Sequence, residues 1–157
     1  MMEELLIDHQ QKYENYTEQF RRLNKALSNG FNLEAMFIEY AIMEDRTESI
    51  LRHGGYWEAY MKKRGTRDVT INSKITYIQG KANAGDKLLR KYFADDLLDR
   101  VLLWKEDRNR LIHALLKQQL TDNDVIRIAQ EGGELVKTLR SRATSYNRAV
   151  QKAKESK

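Results

Sequence analysis

The chain has 157 residues, no cysteine, no proline, eight glycines and a formal net charge of +5. That length fits one domain able to bury about two-thirds of its unfolded surface, and the lack of cysteine excludes disulfides, thiolate metal sites and a thiol nucleophile. No apolar run approaches the roughly 20 residues that span a bilayer, and MMEELLIDHQQKY lacks a signal-peptide pattern, so the expected setting is the cytoplasm with no membrane partner.

Without proline, helices are punctuated by glycine and by capping residues. Met2, Leu6, His9, Tyr13, Tyr16, Phe20, Leu23 and Leu27 recur at alternating steps of four and three, which predicts a first helix over about 3–27 with one apolar seam. His9 reads as a packed seam residue, and Asn29 or Gly30 closes the helix in the left-handed conformation. A second helix is expected from Asn32, acting as N-cap, to Arg52 or His53, where Gly54-Gly55 breaks it. A short helix over 56–63 and a loop over 64–69 follow. Thr70 then caps a helix to about Lys81, before a turn at Asn83-Ala84-Gly85. From 86 to about 119 the pattern is helical again, with a break near Ala94-Asp95. Thr121 to Asp124 cap a last helix to about Lys152, whose seam is Val125, Ile128, Gly132, Leu135, Leu139, Tyr146 and Ala149. Gly132-Gly133 marks either a kink or the close approach of another helix. Much of the excess positive charge lies in this helix, where a basic C-terminal end suits the dipole, and the tail over 151–157 is expected to fray. The predicted fold class is all-α: a compact antiparallel bundle of about five main helices, one domain over 1–157.

Two helices carry polar residues where packing alone would not place them. In the 86–119 segment Leu97, Leu98, Val101, Leu102, Ile112, Leu115 and Leu116 form one arc. Arg108 falls near its middle, with Asn109 and His113, four residues apart, stacked at its edge. An arginine among leucines needs a carboxylate or an anionic ligand, because an unpaired buried charge is costly. On the second helix Leu33, Met36, Phe37, Tyr40, Met43 and Leu51 define the apolar arc. Glu44 projects between Phe37 and Leu51, and Glu39 lies at the edge with Arg46. Interhelical ion pairs would explain these residues structurally, and the surroundings of an active site would explain them functionally. Further on, Tyr56, Trp57 and Tyr60 stand beside Lys62, Lys63, Arg64 and Arg67. Aromatic rings among cations can stack bases and track phosphates, although Trp57 in such a place is more often an anchor that ties its short helix to the core.

Arg108-Asn109-Arg110-Leu111-Ile112-His113 has the arginine, four intervening residues and histidine of the R-x4-6-H motif, with asparagine directly after the arginine, and in this the chain resembles HEPN domains. The all-helical length, the late position of the motif and the run Glu44-Asp45-Arg46 on the second helix are similar as well, and the resemblance covers about residues 32–120. It implies a metal-independent endoribonuclease, of toxin or defence type, in which two protomers pair so that their motifs face one RNA-binding cleft. No metal and no cofactor are implied. The expected partners are RNA, a second copy of the chain, and a cognate antitoxin or other helical protein. In this scheme the RNA 2′-hydroxyl attacks the adjacent phosphorus while His113 takes or gives the proton and Arg108 stabilises the developing charge. Asn109 would orient His113 or bind a phosphate oxygen. Glu44 or Glu39, supported by Asp45 and Arg46, would hold Arg108, and Arg110, Lys62, Lys63, Arg64, Tyr56 and Trp57 would hold the RNA. Leu115 stands where the toxin branch regulated by nucleotidylation carries a tyrosine, so that mode of control is not implied.

Glu44-Asp45-Arg46-Thr47-Glu48 also resembles half of the E-E-x-x-E motif of all-α nucleotide pyrophosphohydrolases, which gather carboxylates around magnesium. The second acidic pair is missing: Asp68 is the only acid in 59–81, and Asp96 and Asp99 lie too far along. The remaining alternative is a non-catalytic helical module that dimerises or binds nucleotide or RNA. His9, His53 and His113 are too scattered to make a metal site by spacing, and His53 reads as a helix-end residue.

Overall fold

The computed structural model describes residues 8–117 and 121–157, and every regular element in them is a helix. In chain order these are α1 (His9–Ser28), α2 (Asn32–His53), α3 (Trp57–Arg64), α4 (Ile71–Asn83), α5 (Lys87–Phe93), α6 (Leu97–Ala114) and α7 (Asp122–Glu155). The described residues thus hold seven helices where five main ones were expected. The difference comes from α3, of 8 residues, and from the break after Phe93, which splits off α5, of 7 residues, from α6. No helix among the described residues is long and apolar enough to cross a membrane.

Side-chain caps set several boundaries. Asp8 is extended and accepts from the Gln11 amide, so α1 starts at His9, and the earlier part of the expected first helix lies outside the described residues. Thr70 and Ser73 form a reciprocal capping box at α4, Asp86 accepts from the Leu89 amide at α5, and Thr121 accepts from the Asp124 amide at α7. Asn32 does not cap α2. Phe31 holds the cap position without a side-chain bond, and Asn32 is the first helical residue. Gly30, at φ 75°, turns the chain out of α1. His53 ends α2 with a ring nitrogen 2.9 Å from the Ser49 carbonyl.

The core forms where α2 meets α7. Ala35, Met36, Ile38, Ile42, Met43, Ile50 and Leu51 of α2 are buried, as are Ile128, Ala129, Leu135, Val136, Leu139, Ala143 and Tyr146 of α7. Phe20 and Leu23 of α1, Ile71, Ile75 and Ile78 of α4, and Val101 and Trp104 of α6 close around them. Because α2 is covered on several sides, its buried positions are spread around the helix and apolar spacing cannot identify the open side. Leu33 and Phe37, expected in its buried arc, are 47% and 72% exposed. The first seam is corrected too: His9 and Tyr13 are exposed, and burial begins only around Tyr16 and Phe20, where α2 provides a facing surface. α7 continues unbroken through Gly132-Gly133 and on to Glu155, so the glycines mark a close approach and most of the supposed frayed tail is helix.

Candidate functional site

α6 buries Leu97, Val101, Trp104 and Leu111, and Arg108 fills the gap in this stripe at steps of four and three. Trp104 sets the helix's rotation, its indole nitrogen donating to the Ile128 carbonyl of α7 at 2.8 Å. In consequence Leu111, not Ile112, faces the core. Ile112 and Leu115 are 39% and 40% exposed, Leu116 is almost wholly exposed, and the last two lie beyond the end of α6. Arg108 is half-buried, with its guanidinium carbon 4.3 Å from the centre of the Tyr40 ring. One guanidinium nitrogen donates to Asn109 Oδ1 at 3.1 Å, while Nε is buried with no hydrogen-bond partner among the described residues. The carboxylate partner expected from Glu44 or Glu39 is absent, and among the described residues Arg108 has no ion pair. An aromatic face stabilises a cation without cancelling its charge, so the arginine remains able to take an anion. Burial, and after it the Glu44 carboxylate, raise the Tyr40 hydroxyl above its ordinary range, while Arg108 pulls it back.

His113 lies in the last turn of α6, exposed, and makes no hydrogen bond among the described residues. Five residues of helix separate it from Arg108 by about 140° around the axis, whereas Asn109 and His113 share a face. Asn109 is thus the link between them: it meets the guanidinium on one side and stands a turn before the imidazole on the other. Arg110 is exposed and pairs with Asp107.

The other acidic candidates are used elsewhere. Asp45 accepts from Tyr16, pairs with Arg46 at 2.7 Å and with Lys12 at 3.3 Å, and Arg46 lies 4.5 Å above the Tyr16 ring. Burial pushes the Asp45 carboxyl up, but the bonds from Tyr16 and Arg46 outweigh it and hold the group below its usual range. Asp45 and Arg46 therefore fasten α2 to α1 and do not hold Arg108. Glu48 pairs with Arg52, and the buried Lys74 ammonium donates to the Glu44 carbonyl at 2.8 Å. Among the described residues only the Glu44 carboxylate of the acidic half-motif has no ion pair, and no three His, Cys, Asp or Glu gather as a metal site.

Glu39 is not at a helix edge. It is fully buried against Gly132 and Gly133, and neither carboxylate oxygen has a hydrogen-bond partner among the described residues. Burial pushes its carboxyl up from 4.5 to about 8. Between those two values the folded chain binds a proton that the unfolded chain has released, so stability is highest below the lower one and falls as pH rises through the window. Urea unfolding is expected to show a loss of a few kcal/mol between about pH 5 and pH 8, levelling off above pH 8. The Glu39→Gln variant should lose most of this slope. An equally steep profile in the variant would assign it to other groups.

The basic residues of the middle region belong to a different surface. Lys63 and Arg64 line a cleft whose walls include none of Arg108, Asn109 or His113, and Lys62 is exposed outside it. Tyr56 donates to Asp86, and burial together with that bond pushes its hydroxyl up to about 12. Trp57 carries the Arg52 guanidinium 4.4 Å above its ring and packs beside Tyr60. Both aromatics thus have partners within the chain. Apolar spacing did not reveal Tyr40 as the support of Arg108, although Tyr40 belonged to the apolar arc of its helix and Arg108 stood near the middle of its own. It also missed Trp104, whose place between Val101 and Leu111 in the three-and-four rhythm was the available signal.

Comparison of the chain with protein-family models, with curated proteins and with solved structures finds no match in any of the three.

Proposed function

We propose that the chain is a metal-independent endoribonuclease of HEPN type that works as a homodimer, cleaving RNA at a site built from Arg108, Asn109 and His113. The observation that carries this reading is the state of Arg108: a half-buried guanidinium supported by an aromatic ring, with no carboxylate partner among the described residues and with Asn109 leading from it to an exposed imidazole. Such an arginine suits a phosphate, which it can meet with two donors at once. Exposed apolar side chains flank the motif and favour a second copy as its cover. Phe37 shares a face of α2 with Tyr40, and Ile112 follows Arg108 by one turn of α6. A two-fold axis through this patch would place two motifs at one cleft, overcoming the angular separation of Arg108 and His113 within each chain.

The chemistry needs nothing beyond these groups. One His113 takes the proton from the RNA 2′-hydroxyl as its oxygen attacks the adjacent phosphorus. The His113 of the other protomer protonates the departing 5′-oxygen, leaving a 2′,3′-cyclic phosphate and a 5′-hydroxyl. Arg108 stabilises the charge that gathers on the phosphoryl oxygens. The pyrophosphohydrolase reading is disfavoured because Asp45 and Glu48 are already paired with cations. The test is cleavage of a mixed single-stranded RNA by purified protein in excess EDTA. Expected are chelator-resistant products with cyclic phosphate ends. A stable dimer without cleavage would favour the silent module.

A further inference from the structure

The cleft between α3 and α4 has a volume of about 660 Å³ and, among the described residues, no acidic side chain in its wall. Lys63, Arg64, Arg67 and Lys81 line it, and none of the four has an ion pair among the described residues. They are held by groups that do not cancel charge. Arg67 donates to the carbonyls of Lys63 and Arg64, Arg64 donates to the Asp68 carbonyl, and the Lys63 and Lys81 ammoniums lie 5.9 and 5.3 Å from the centre of the Tyr77 ring. The Arg64 Nε is buried without a hydrogen-bond partner among the described residues. Four like charges around one concavity repel one another, so an anion entering it would be stabilised by all four.

Gly80 supplies an independent observation. It sits in the interior of α4 with helical backbone, where glycine is about 1 kcal/mol less favourable than alanine, and nothing lies within 4 Å of where its Cβ would be. Neither dihedral angles nor packing within the chain call for glycine at this position. Its one structural consequence is open space in the wall of the cleft.

We propose that this cleft binds a nucleoside polyphosphate, with its adjacent phosphates among Lys63, Arg64, Arg67 and Lys81 and its nucleoside passing over Gly80. The volume falls within the roughly 300–1,000 Å³ of small-molecule sites. Charge density decides between a free nucleotide and a strand of RNA. RNA brings one phosphate charge per nucleotide, spread along the backbone, whereas a terminal di- or triphosphate concentrates several charges in the space of one nucleotide. Because the Arg108–His113 face contributes nothing to the cleft, the proposal stands or falls independently of the nuclease reading.

The test is titration calorimetry of the full chain with ATP, AMP, inorganic tripolyphosphate and a 5′-hydroxyl RNA oligonucleotide. ATP is expected to bind at least tenfold more tightly than each of the other three. Gly80→Leu should raise the melting temperature through better helix propensity while weakening ATP at least tenfold, and Lys63→Gln combined with Lys81→Gln should weaken it similarly. Arg108→Ala should bind ATP as the parent does. Four results would overturn the proposal: no saturable ATP binding at millimolar concentration, parental affinity in folded Gly80→Leu, equal affinity for tripolyphosphate, or tighter binding of the RNA.

Discussion

His113→Ala is expected to slow chelator-resistant RNA cleavage by about 10²–10⁴-fold, the usual contribution of a positioned proton-transfer group, while leaving the fold intact. The side chain is exposed, lies in the last turn of α6 and makes no hydrogen bond among the described residues, so its removal should change stability by no more than about 0.5 kcal/mol. Arg108→Ala should slow cleavage by about 10²–10³-fold, the typical loss of one stabilising donor group. Unlike His113, Arg108 packs on Tyr40, so its removal should also lower stability by about 1–2 kcal/mol. Arg108→Lys separates charge from geometry. It keeps the cation over the ring but loses the planar fork, and should recover stability more fully than rate. Rates are read by product formation in EDTA, and folding by circular dichroism and melting. Parental rates in both alanine variants would remove these residues from the reaction.

Gly132→Ala is expected to destabilise the protein by about 3 kcal/mol. An added Cβ would lie 2.7 Å from Glu39 Cδ and 2.7 Å from Trp104 Cζ2, both closer than carbon atoms pack. Neither neighbour can withdraw easily. The indole is fully buried and anchored by its bond to the Ile128 carbonyl, and Glu39 is enclosed on all sides. The gain of about 1 kcal/mol in helix propensity offsets only part of the overlap. Gly133→Ala is the control, since its Cβ would meet the mobile end of Leu27 at 3.0 Å and Glu39 Oε2 at 3.4 Å, and its effect should stay below about 1 kcal/mol. Combining Gly132→Ala with Glu39→Ala should restore part of the loss, because the two positions share one space. Urea unfolding followed by tryptophan fluorescence, from Trp57 and Trp104 together, measures all three. An unchanged midpoint for Gly132→Ala would mean that α7 can shift away from α2.

Both results depend on how much of the molecule was legible before its helices met. The all-helical class and the α7 seam follow from the sequence alone, as do the capping boundaries at Thr70 and Thr121, because each depends on residues three or four apart. The same local rule placed Arg108 within the apolar stripe of its helix. What lies across from a helix face is not a local property. Arg108 was expected to meet a carboxylate and meets Tyr40, Asp45 and Arg46 turn to Tyr16 of α1, and Glu39 is enclosed by Gly132 and Trp104 from helices far along the chain. Leu33 and Phe37 show the same limit, for on a helix covered on several sides apolar spacing cannot choose the open one. Gly80 is the plainest case: its sequence neighbours offer no reason for a glycine, and only the packing of α3 beside α4 turns the missing side chain into space. Periodicity sets how each helix presents its residues, while the pairing of faces, and with it every polar contact of the candidate site beyond Asn109, is decided by tertiary packing between residues distant in sequence.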